Sequence, residues 1–239
     1  MTEQPASLTS FPPECVAVVI GATGGIGGAL VSALEATGRF EVLPFSRKSD
    51  LAIDIEDENS IRLAAQYAAK RGEIRLVVTA TGFLHGSGFE PEKSWRRLDP
   101  VHMAKSFAIN AIGPALLMKH FLPLLPRAGK SVFAALSAKV GSIADNRLGG
   151  WHSYRASKAA LNQLVRTAAI ELKRSRPESI CVVIHPGTVA TALSAPYSKE
   201  GLSVQSPSQA ADEIIACLNR LKAKDSGGFL DRIGAPLPW

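Results

Sequence analysis

The sequence predicts an α/β fold: one doubly wound parallel sheet of about seven strands with helices on both faces. Short apolar, β-branched runs alternate with longer segments in which apolar residues recur at helical spacing, a pattern typical of strand–helix–strand units. Polar or glycine-rich residues follow most of these runs, and no linker or repeat interrupts them. Of the 239 residues, 46% are hydrophobic, enough for one sizeable core. We therefore expect residues 1–239 to form a single domain with its site at the carboxyl ends of the strands.

In the first half of the chain, four segments are predicted to be strands. Residues 15–20 form a continuous apolar run, which is typical of a strand buried on both faces. A helical pattern follows it through Thr37, and a second helix is predicted over residues 56–71, which begin with acidic and end with basic residues. The other predicted strands are residues 41–45, 51–54 and 74–79.

The second half of the chain is predicted to contain three more strands and two long helices. A helical pattern over residues 101–122 is interrupted at Asn110, shortly before Pro114, which would bend the rod. The longest helix is predicted over residues 151–172, and Ser208 is predicted to cap a last helix that ends near residue 221. The strands are expected at residues 131–137, 179–185 and 228–230.

The first predicted strand runs directly into a glycine-rich turn, Gly21-Ala22-Thr23-Gly24-Gly25-Ile26-Gly27-Gly28, and then into a helix. Glycines let the backbone turn tightly and approach a pyrophosphate, whose charge then lies at the helix N-terminus. Such turns also occur as plain connectors, but the strand before it and the helix after it favour dinucleotide binding. The sequence thus predicts a Rossmann-type sheet.

Basic residues follow the second predicted strand. In dinucleotide folds an acidic side chain near this point holds the ribose 2′-hydroxyl, whereas arginine accommodates a 2′-phosphate. The residues here are Ser46, Arg47 and Lys48, which favours NADP(H), while Asp50 keeps NAD(H) as the less favoured alternative. Asp54 would either contact the adenine or help to start the next helix.

Tyr154 and Lys158 are the residues of the longest helix that could carry chemistry. Their four-residue spacing places both side chains on one face, one turn apart. A cation beside a phenol favours the phenolate and lowers the tyrosine pKa, which would make Tyr154 a usable proton donor and acceptor. Taken alone, such a pair is more often a half-buried aromatic residue beside a solvated charge. The glycine turn and the polar strand ends favour the chemical interpretation.

Charge and cysteine content exclude several classes of function. The net charge of +6 arises from dispersed basic residues, and the densest run, residues 173–176, lies where a helix ends, so nucleic-acid binding is not expected. Cys15, Cys181 and Cys217 lie far apart in apolar sequence, as buried thiols in a reducing compartment would. The five histidines lack metal-ligand spacing, and no apolar run approaches the length of a membrane span. We expect a cytoplasmic protein without a metal.

Several separated motifs resemble those of the short-chain dehydrogenase/reductase family, in the family's order and across nearly the whole chain. The matching positions are Gly21, Gly25 and Gly27 of the glycine motif, Thr79-Ala80-Thr81-Gly82 as a loose match to Asn-Asn-Ala-Gly, Asn110, Tyr154-Arg155-Ala156-Ser157-Lys158 as a full match to Tyr-x-Ala-Ser-Lys, and Pro186-Gly187. Segments that start at Ser137, Asp145 and Gly227 are similar to the branch that holds sniffer-like carbonyl reductases and C-factor-type signalling proteins.

The resemblance implies carbonyl reduction and its reverse, in which hydride passes between the nicotinamide and the substrate carbon. Tyr154 would exchange a proton with the substrate oxygen, and Lys158 would lower the pKa of Tyr154 and hold the nicotinamide ribose. Ser137 would hydrogen-bond the carbonyl oxygen, and Asn110 would position a water in the proton path. The implied cofactor-binding residues are Gly21, Thr23, Gly25, Ile26, Gly27, Arg47 at the 2′-phosphate, Asp54 at the adenine, Ala80, Thr81, Gly82, Tyr154, Lys158, Pro186, Gly187, Val189 and Thr191 at the carboxamide.

Three positions depart from the family pattern. Ile20 replaces the threonine usual before the first glycine, which removes a local hydrogen bond but should leave phosphate binding intact. Gly24 allows an alternative Gly-x-x-Gly-x-x-Gly spacing, seen in longer relatives. The family's serine is commonly the second of a Ser-Ser pair, and Ala138 occupies that position. Ser137, or as the less favoured alternative Ser142, must then supply the hydroxyl.

Two functions from different classes remain open. The first is an NADP(H)-dependent oxidoreductase that acts on a small-molecule carbonyl or secondary alcohol. The second is a cofactor-binding signalling or regulatory protein, similar to C-factor, with little or no turnover. The intact pair of Tyr154 and Lys158 disfavours the second function, whereas Ala138 slightly favours it.

Two segments without periodicity would border the substrate. Residues 83–99 follow a predicted strand, and residues 188–206 contain a small, polar stretch typical of a mobile lid over a cleft. Neither carries a chemical signature, so the substrate itself is not predicted. The resemblance also implies a homodimer or homotetramer that forms through the helices at about residues 101–122 and 152–172.

Overall fold

The structure, a computed structural model, describes residues 8–86, 88–197 and 203–239. The strands are β1 (Cys15–Ile20), β2 (Phe40–Phe45), β3 (Ile74–Thr79), β4 (Ser131–Leu136), β5 (Ser179–His185), β6 (Thr188–Val189), β7 (Val204–Gln205) and β8 (Phe229–Asp231). Six of them form a parallel sheet in the order β2-β1-β3-β4-β5-β8, and β6 pairs with β7 in a short parallel ribbon. The predicted α/β fold is confirmed.

Helices cover both faces of the sheet, as predicted. They are α1 (Gly25–Ala36), α2 (Glu58–Arg71), α3 (Pro100–Phe107), α4 (Gly113–Phe121), α5 (His152–Ser175) and α6 (Pro207–Arg220). One core cluster holds α1 and α6 against the sheet through residues such as Leu30 and Ile214. The other holds α2, α4 and α5 through residues such as Ile61, Leu117 and Val165. Burial on both faces explains why the strands are continuous apolar runs.

The sheet has six strands rather than about seven because the strand predicted at residues 51–54 does not form. The Ile53 N–H donates to the carbonyl of Ser46 at 3.0 Å, so this stretch folds back on the end of β2. The Asp54 N–H donates to Ser60 Oγ at 3.0 Å, inside the turn that leads into α2. Because Ile53 is buried, the apolar character of the run reflects core packing and not strand pairing.

Two predicted helix boundaries need correction. The last helix begins at Pro207, and its cap is Ser206, whose side chain accepts from the N–H of Gln209. Ser208, the predicted cap, lies inside the helix, because proline is favoured at the first helical position and fixes the start two residues earlier than predicted. The longest helix continues to Ser175, beyond the predicted end.

The interruption predicted at Asn110 is confirmed, and it takes the form of a π-helix over Ala108–Ile112 between α3 and α4. Pro114 lies in the first turn of α4, directly after the π-helix, where its missing N–H cannot donate to a carbonyl of the preceding turn. Short π-helices inside α-helices occur often at functional sites. The sequence thus predicted where the helix is irregular, but not that the irregularity is a π-helix.

One helical rod meets the length and composition of a membrane span, contrary to the expectation from the sequence. It covers Pro100–Leu124 and includes α3, the π-helix and α4. Its inner side is buried in the fold, where Leu117 and Phe121 belong to the core and Asn110 has no exposed surface. A core helix of this kind passes the same test, so the rod is weak support for a membrane span.

Candidate active site

The glycine-rich turn after β1 lies at the edge where the strands end. Gly21 has φ +87°, a conformation that favours glycine. A Cβ at Gly27 would overlap the carbonyl of Gly21, and a Cβ at Gly25 would lie 2.8 Å from Thr191 Cγ2. The N-cap of α1 is Gly24, which makes no side-chain hydrogen bond. This bare backbone at a helix N-terminus fits the pyrophosphate of a dinucleotide.

The residues predicted for the adenosine end are exposed. Arg47 and Lys48 follow the end of β2 after one intervening residue, Ser46, and both side chains are exposed. Asp54 is exposed as well, and its Oδ1 accepts from the Glu56 N–H at 3.0 Å. The cap of α2 is Asp57, whose side chain accepts from the Asn59 N–H, so Asp54 lies in the turn before the helix. Both roles that the sequence left open for Asp54 stay predictions.

Of four other predicted cofactor residues, two lie within the glycine turn and two lie beside it. Thr23 is exposed within the turn, and Ile26 packs against the core beneath it. The Ala80 N–H donates to the Ile20 carbonyl at 2.8 Å, which fixes the end of β3 beside the end of β1. The Thr81 hydroxyl shares a hydrogen bond of 3.1 Å with the hydroxyl of Thr79, the last residue of β3. The structure therefore brings these residues to one edge.

Gly82 lies where four parts of the molecule meet. A Cβ at this position would be 3.8 Å from Asn110 Oδ1, 4.0 Å from Lys158 Nζ and 3.7 Å from Leu193 Cδ2. The loop after β3, the π-helix, helix α5 and the segment after β6 thus converge on Gly82. Two predicted catalytic residues are among these neighbours.

The segment after β5 reaches the same edge. Gly187 has φ +83° and follows Pro186 at the end of the strand. Val189 is buried in β6, and the Thr191 N–H donates to Ser194 Oγ at 3.1 Å. The predicted lid, residues 188–206, is described for 188–197 and 203–206, and residues 198–202 lie outside the described part.

Tyr154 and Lys158 lie side by side in α5, and both are buried. The Lys158 Nζ is 5.9 Å from the centroid of the Tyr154 ring and donates to the Leu136 carbonyl, at the end of β4, at 2.9 Å. Burial raises the pKa of Tyr154 to about 12 and lowers the pKa of Lys158 to about 8. The predicted lowering of the Tyr154 pKa is thus wrong for this structure, because burial disfavours the charged form of both groups.

The side chain of Asn110 connects two segments of the site. Its Nδ2 donates to the Phe83 carbonyl at 2.8 Å and to Ser157 Oγ at 3.0 Å, and its Oδ1 accepts from the Phe83 N–H at 2.8 Å. Both N–H donors of the amide are therefore used, and one acceptor position on Oδ1 remains for the predicted water.

The two candidate serines have protein partners. The Ser137 hydroxyl donates to Asn162 Oδ1 at 2.7 Å and lies directly after β4. The Ser142 hydroxyl donates to the Trp239 carbonyl at 3.2 Å and accepts from the Asp145 N–H at 3.0 Å. Ser142 thus closes a turn, whereas Ser137 contacts α5, the helix that carries Tyr154.

Two groups of residues near Tyr154 had no role in the sequence analysis. Aromatic rings extend from it: the Trp151 centroid is 6.3 Å from Tyr154 and 5.3 Å from Tyr197, which is 5.4 Å from His85. Buried Glu92 contacts the start of α5. The only signal in the sequence was the position of Trp151 just before Tyr154, because the other partners lie far away along the chain.

Metal and disulfide chemistry find no support in the described part of the chain. No group of three or more His, Cys, Asp or Glu side chains there could hold a metal ion. The three cysteines are free and buried, and the burial predicted for them is confirmed.

The chain matches a family model described as enoyl-(acyl carrier protein) reductase over residues 21–214. It is 34% identical over 143 residues to the C-signal of Myxococcus xanthus, with 59% of this chain and 81% of that protein covered. It is 29% identical over 187 residues to 1-hydroxy-2-glutathionyl-2-methyl-3-butene dehydrogenase of Rhodococcus sp. (strain AD45), with 78% of each covered.

Two solved structures share the fold over nearly the whole chain. An NADPH-bound carbonyl reductase from chicken fatty liver superposes with a TM-score of 0.82 and 25% identity, and 96% of each chain is covered. The carbonyl reductase Sniffer of D. melanogaster gives a TM-score of 0.81 and 21% identity, with 95% of this chain and 100% of that chain covered.

Proposed function

The chain belongs to the short-chain dehydrogenase/reductase family, and on this premise we propose that it transfers hydride between NADP(H) and a carbonyl or secondary alcohol with Tyr154 as general acid and base. It is an oxidoreductase of this family. The proposal concerns the nucleotide and the residues that perform the reaction.

Reduction of a carbonyl needs a hydride at the carbon and a proton at the oxygen. A bound nicotinamide would supply the hydride. Tyr154 would supply the proton, because a pKa of about 12 keeps its hydroxyl protonated at neutral pH. The Lys158 ammonium, 5.9 Å from the ring centroid, would stabilise the phenolate left after proton transfer.

One observation carries the proposal. A buried phenol and a buried ammonium lie side by side on α5, next to Gly82 and at the edge of the sheet that also holds the glycine turn. Burial of two ionisable groups opposes folding unless they are paired or hydrogen-bonded, and such groups are typical of functional sites.

The decisive test is Tyr154→Phe, which removes only the hydroxyl. We expect NADPH oxidation with a carbonyl substrate, found in a broad panel, to fall by about 10²–10⁴-fold. NADPH binding, followed by fluorescence, should stay within about twofold of wild type, because the ring remains. Tyr67→Phe is the matched control, since Tyr67 lies on α2 and is 44% exposed. A Tyr154→Phe enzyme as active as wild type would reject the mechanism.

The exposed cations Arg47 and Lys48 support NADP(H) as the cofactor. The similarity to an NADPH-bound carbonyl reductase supports the same choice. NADPH should therefore bind more tightly than NADH in a direct titration, and equal affinities would favour NAD(H).

Ser137 remains the proposed hydroxyl for the substrate oxygen. Its hydrogen now points to Asn162 Oδ1, so it would have to turn toward the substrate when one binds. The proposed cofactor contacts stay those of the glycine turn, Arg47, Asp54, residues 80–82 and the segment from Pro186 to Thr191.

The second candidate function is a signalling or regulatory role with little turnover. The 34% identity to a C-signal, over 81% of that protein, favours keeping it. Tight NADPH binding without turnover of any carbonyl or alcohol would support this role over the enzymatic one.

Assembly and location are part of the same proposal. Ile112, Leu164 and Ile170 expose apolar surface on the two long helical segments, which supports a homodimer or homotetramer. A monomeric mass at micromolar concentration would reject the proposed oligomer.

Free, buried cysteines support a cytoplasmic protein. We also propose that residues 1–239 form one domain.

A further inference from the structure

Glu92 is a buried carboxylate in the loop after β3 that the proposed reaction does not use. Only 2% of its side chain is exposed. It accepts hydrogen bonds from the Ser153 N–H at 3.2 and 3.3 Å and from the Ser153 hydroxyl. Its backbone carbonyl accepts from the Trp151 N–H at 2.5 Å. These bonds reach the first turn of α5, 61 residues further along the chain.

Helix α5 has no local side-chain cap. Its N-cap, Trp151, has φ +53° and ψ +43°, a left-handed conformation, and makes no side-chain capping bond. The first N–H groups of a helix need acceptors, and a negative charge near them is favourable. Glu92 therefore supplies from a distant loop the acceptor that a neighbouring Ser or Asp usually provides.

The surroundings keep Glu92 ionised. Burial acts to raise the pKa of this carboxyl, but the hydrogen bonds from Ser153 and the nearby His102 outweigh it, so the pKa lies below its usual value. His102 Nδ1 is 3.5 Å from Glu92 Oε1, and its ring stacks on Phe89 at 5.0 Å. The three polar residues do not form a nucleophilic relay, because the buried Ser153 hydroxyl donates to the carboxylate and not to the imidazole.

The geometry points to Glu92 as a positioning residue that fixes the first turn of α5 and thereby the direction of the Tyr154 hydroxyl. Tyr154 follows Ser153 directly in the chain, so a shift of one moves the other. The inference rests on the proposed acid–base role of Tyr154. Asn110 holds the other end of the same loop, at Phe83, to Ser157. The loop is thus attached to the first two turns of α5 at both of its ends.

Two variants test the inference by kinetics. Glu92→Gln keeps the shape and removes the charge, and Glu92→Ala removes the acceptor. We expect kcat to fall about tenfold and about a hundredfold, respectively, since misplacement of a catalytic group by about 1 Å has effects of this size. KM and the NADPH dissociation constant should change less than about twofold, because the nucleotide contacts lie elsewhere.

The matched control is Glu58→Gln. The Glu58 carboxylate accepts from Lys119 Nζ at 2.6 Å and His120 Nε2 at 2.9 Å, in the contact between α2 and α4. This variant loses a similar number of bonds, so it should alter thermal stability without altering kcat. A Glu92→Gln enzyme with kcat within twofold of wild type would overturn the inference. This outcome decides the question even if Glu92→Ala does not fold.

Hydrogen exchange provides a readout that needs no turnover. In Glu92→Gln, amides of residues 151–158 should exchange faster than in wild type, while amides of the sheet stay protected. Unchanged exchange at residues 151–158 would overturn the inference even if no carbonyl were a substrate. If the wild-type enzyme had no activity, the proposed function would be rejected. The hydrogen-exchange result would still show whether Glu92 fixes the first turn of α5.

Discussion

Lys130 and Lys158 lie at opposite ends of β4 and differ in what their ammonium groups contact. Burial lowers the pKa of each to about 8. Lys130 donates to Ser10 Oγ at 2.9 Å and to the carbonyls of Leu218 and Asn219, both at 2.8 Å. All three of its N–H donors are thus matched, and two of them close the last turn of α6.

Lys158 makes one such bond within the described residues, to the Leu136 carbonyl. Two of its donors therefore remain for a bound molecule. A buried charge that is fully bonded supports the fold, whereas a buried charge with free donors weakens the fold and is kept for chemistry. The contrast separates a structural lysine from a functional one without reference to sequence motifs.

Lys158→Met gives the largest expected effect and tests this contrast most directly. We expect kcat/KM to fall by about 10²–10³-fold, because the phenolate of Tyr154 loses its cation. The melting temperature should stay equal or rise, since a buried charge is replaced by an apolar side chain of similar volume. Steady-state kinetics and thermal unfolding measure the two effects, and near-wild-type activity would contradict the assignment.

The pH dependence of stability sharpens the contrast. The folded-state pKa of Lys158 is about 8, below the ordinary lysine pKa of 10.5. The unfolded state therefore holds more protons between these pH values, and stability rises with pH. The expected rise is up to about 3 kcal/mol over the whole interval, of which about 1 kcal/mol falls between pH 7.5 and 9. Urea unfolding of wild type and Lys158→Met at pH 7.5 and 9, compared at each pH, should show a smaller rise in the variant.

The buried thiols act in the opposite direction in this experiment. Burial raises the pKa of Cys15 and Cys217 to about 11 and that of Cys181 to about 12, so they lower stability as pH rises above about 9. Their contribution is common to both proteins and cancels in the difference. Equal slopes for wild type and Lys158→Met would show that Lys158 does not titrate as the structure indicates.

Lys130→Met should affect the fold alone. We expect a loss of about 1–2 kcal/mol in the free energy of unfolding, because the last carbonyls of α6 lose a charged donor. NADPH oxidation should stay within about twofold of wild type. Urea unfolding and steady-state kinetics measure the two quantities. A large loss of kcat in a Lys130→Met enzyme that is fully folded would contradict the distinction between the two lysines.

Ser137→Ala should give the smallest effect. We expect a three- to tenfold decrease in kcat/KM, about the value of one hydrogen bond to the substrate oxygen. Ser142→Ala is the matched control and should leave kcat/KM unchanged, because that hydroxyl bonds to Trp239 and Asp145. The reverse order of effects would transfer the proposed hydroxyl role to Ser142.

The parts of the site that are local in sequence could be predicted. The glycine turn depends on consecutive residues, and Tyr154 and Lys158 are one helical turn apart, so spacing alone places them. The strand expected at residues 51–54 does not form, because Ile53 reaches the core from a loop, and an apolar run does not reveal whether a strand or a loop carries it.

Long-range contacts and burial could not be predicted. The bond from Glu92 to Ser153 joins residues 61 apart, and the bond from Ser137 to Asn162 joins residues 25 apart. No pattern along the chain encodes either pair. The pKa direction of Tyr154 failed for a related reason, since its depth of burial follows from the packed structure and not from its neighbours in sequence.

The π-helix at Ala108–Ile112 has a consequence for insertions and deletions. It holds one residue more per turn than an α-helix, so it offsets the direction of α4 from that of α3. His102 in α3 and Leu117 in α4 are both buried with this offset in place. Deleting one residue here would rotate one half of the rod by about 100° against the other and turn a buried face to water. Length variation among homologues should therefore avoid this rod and collect in the surface loops.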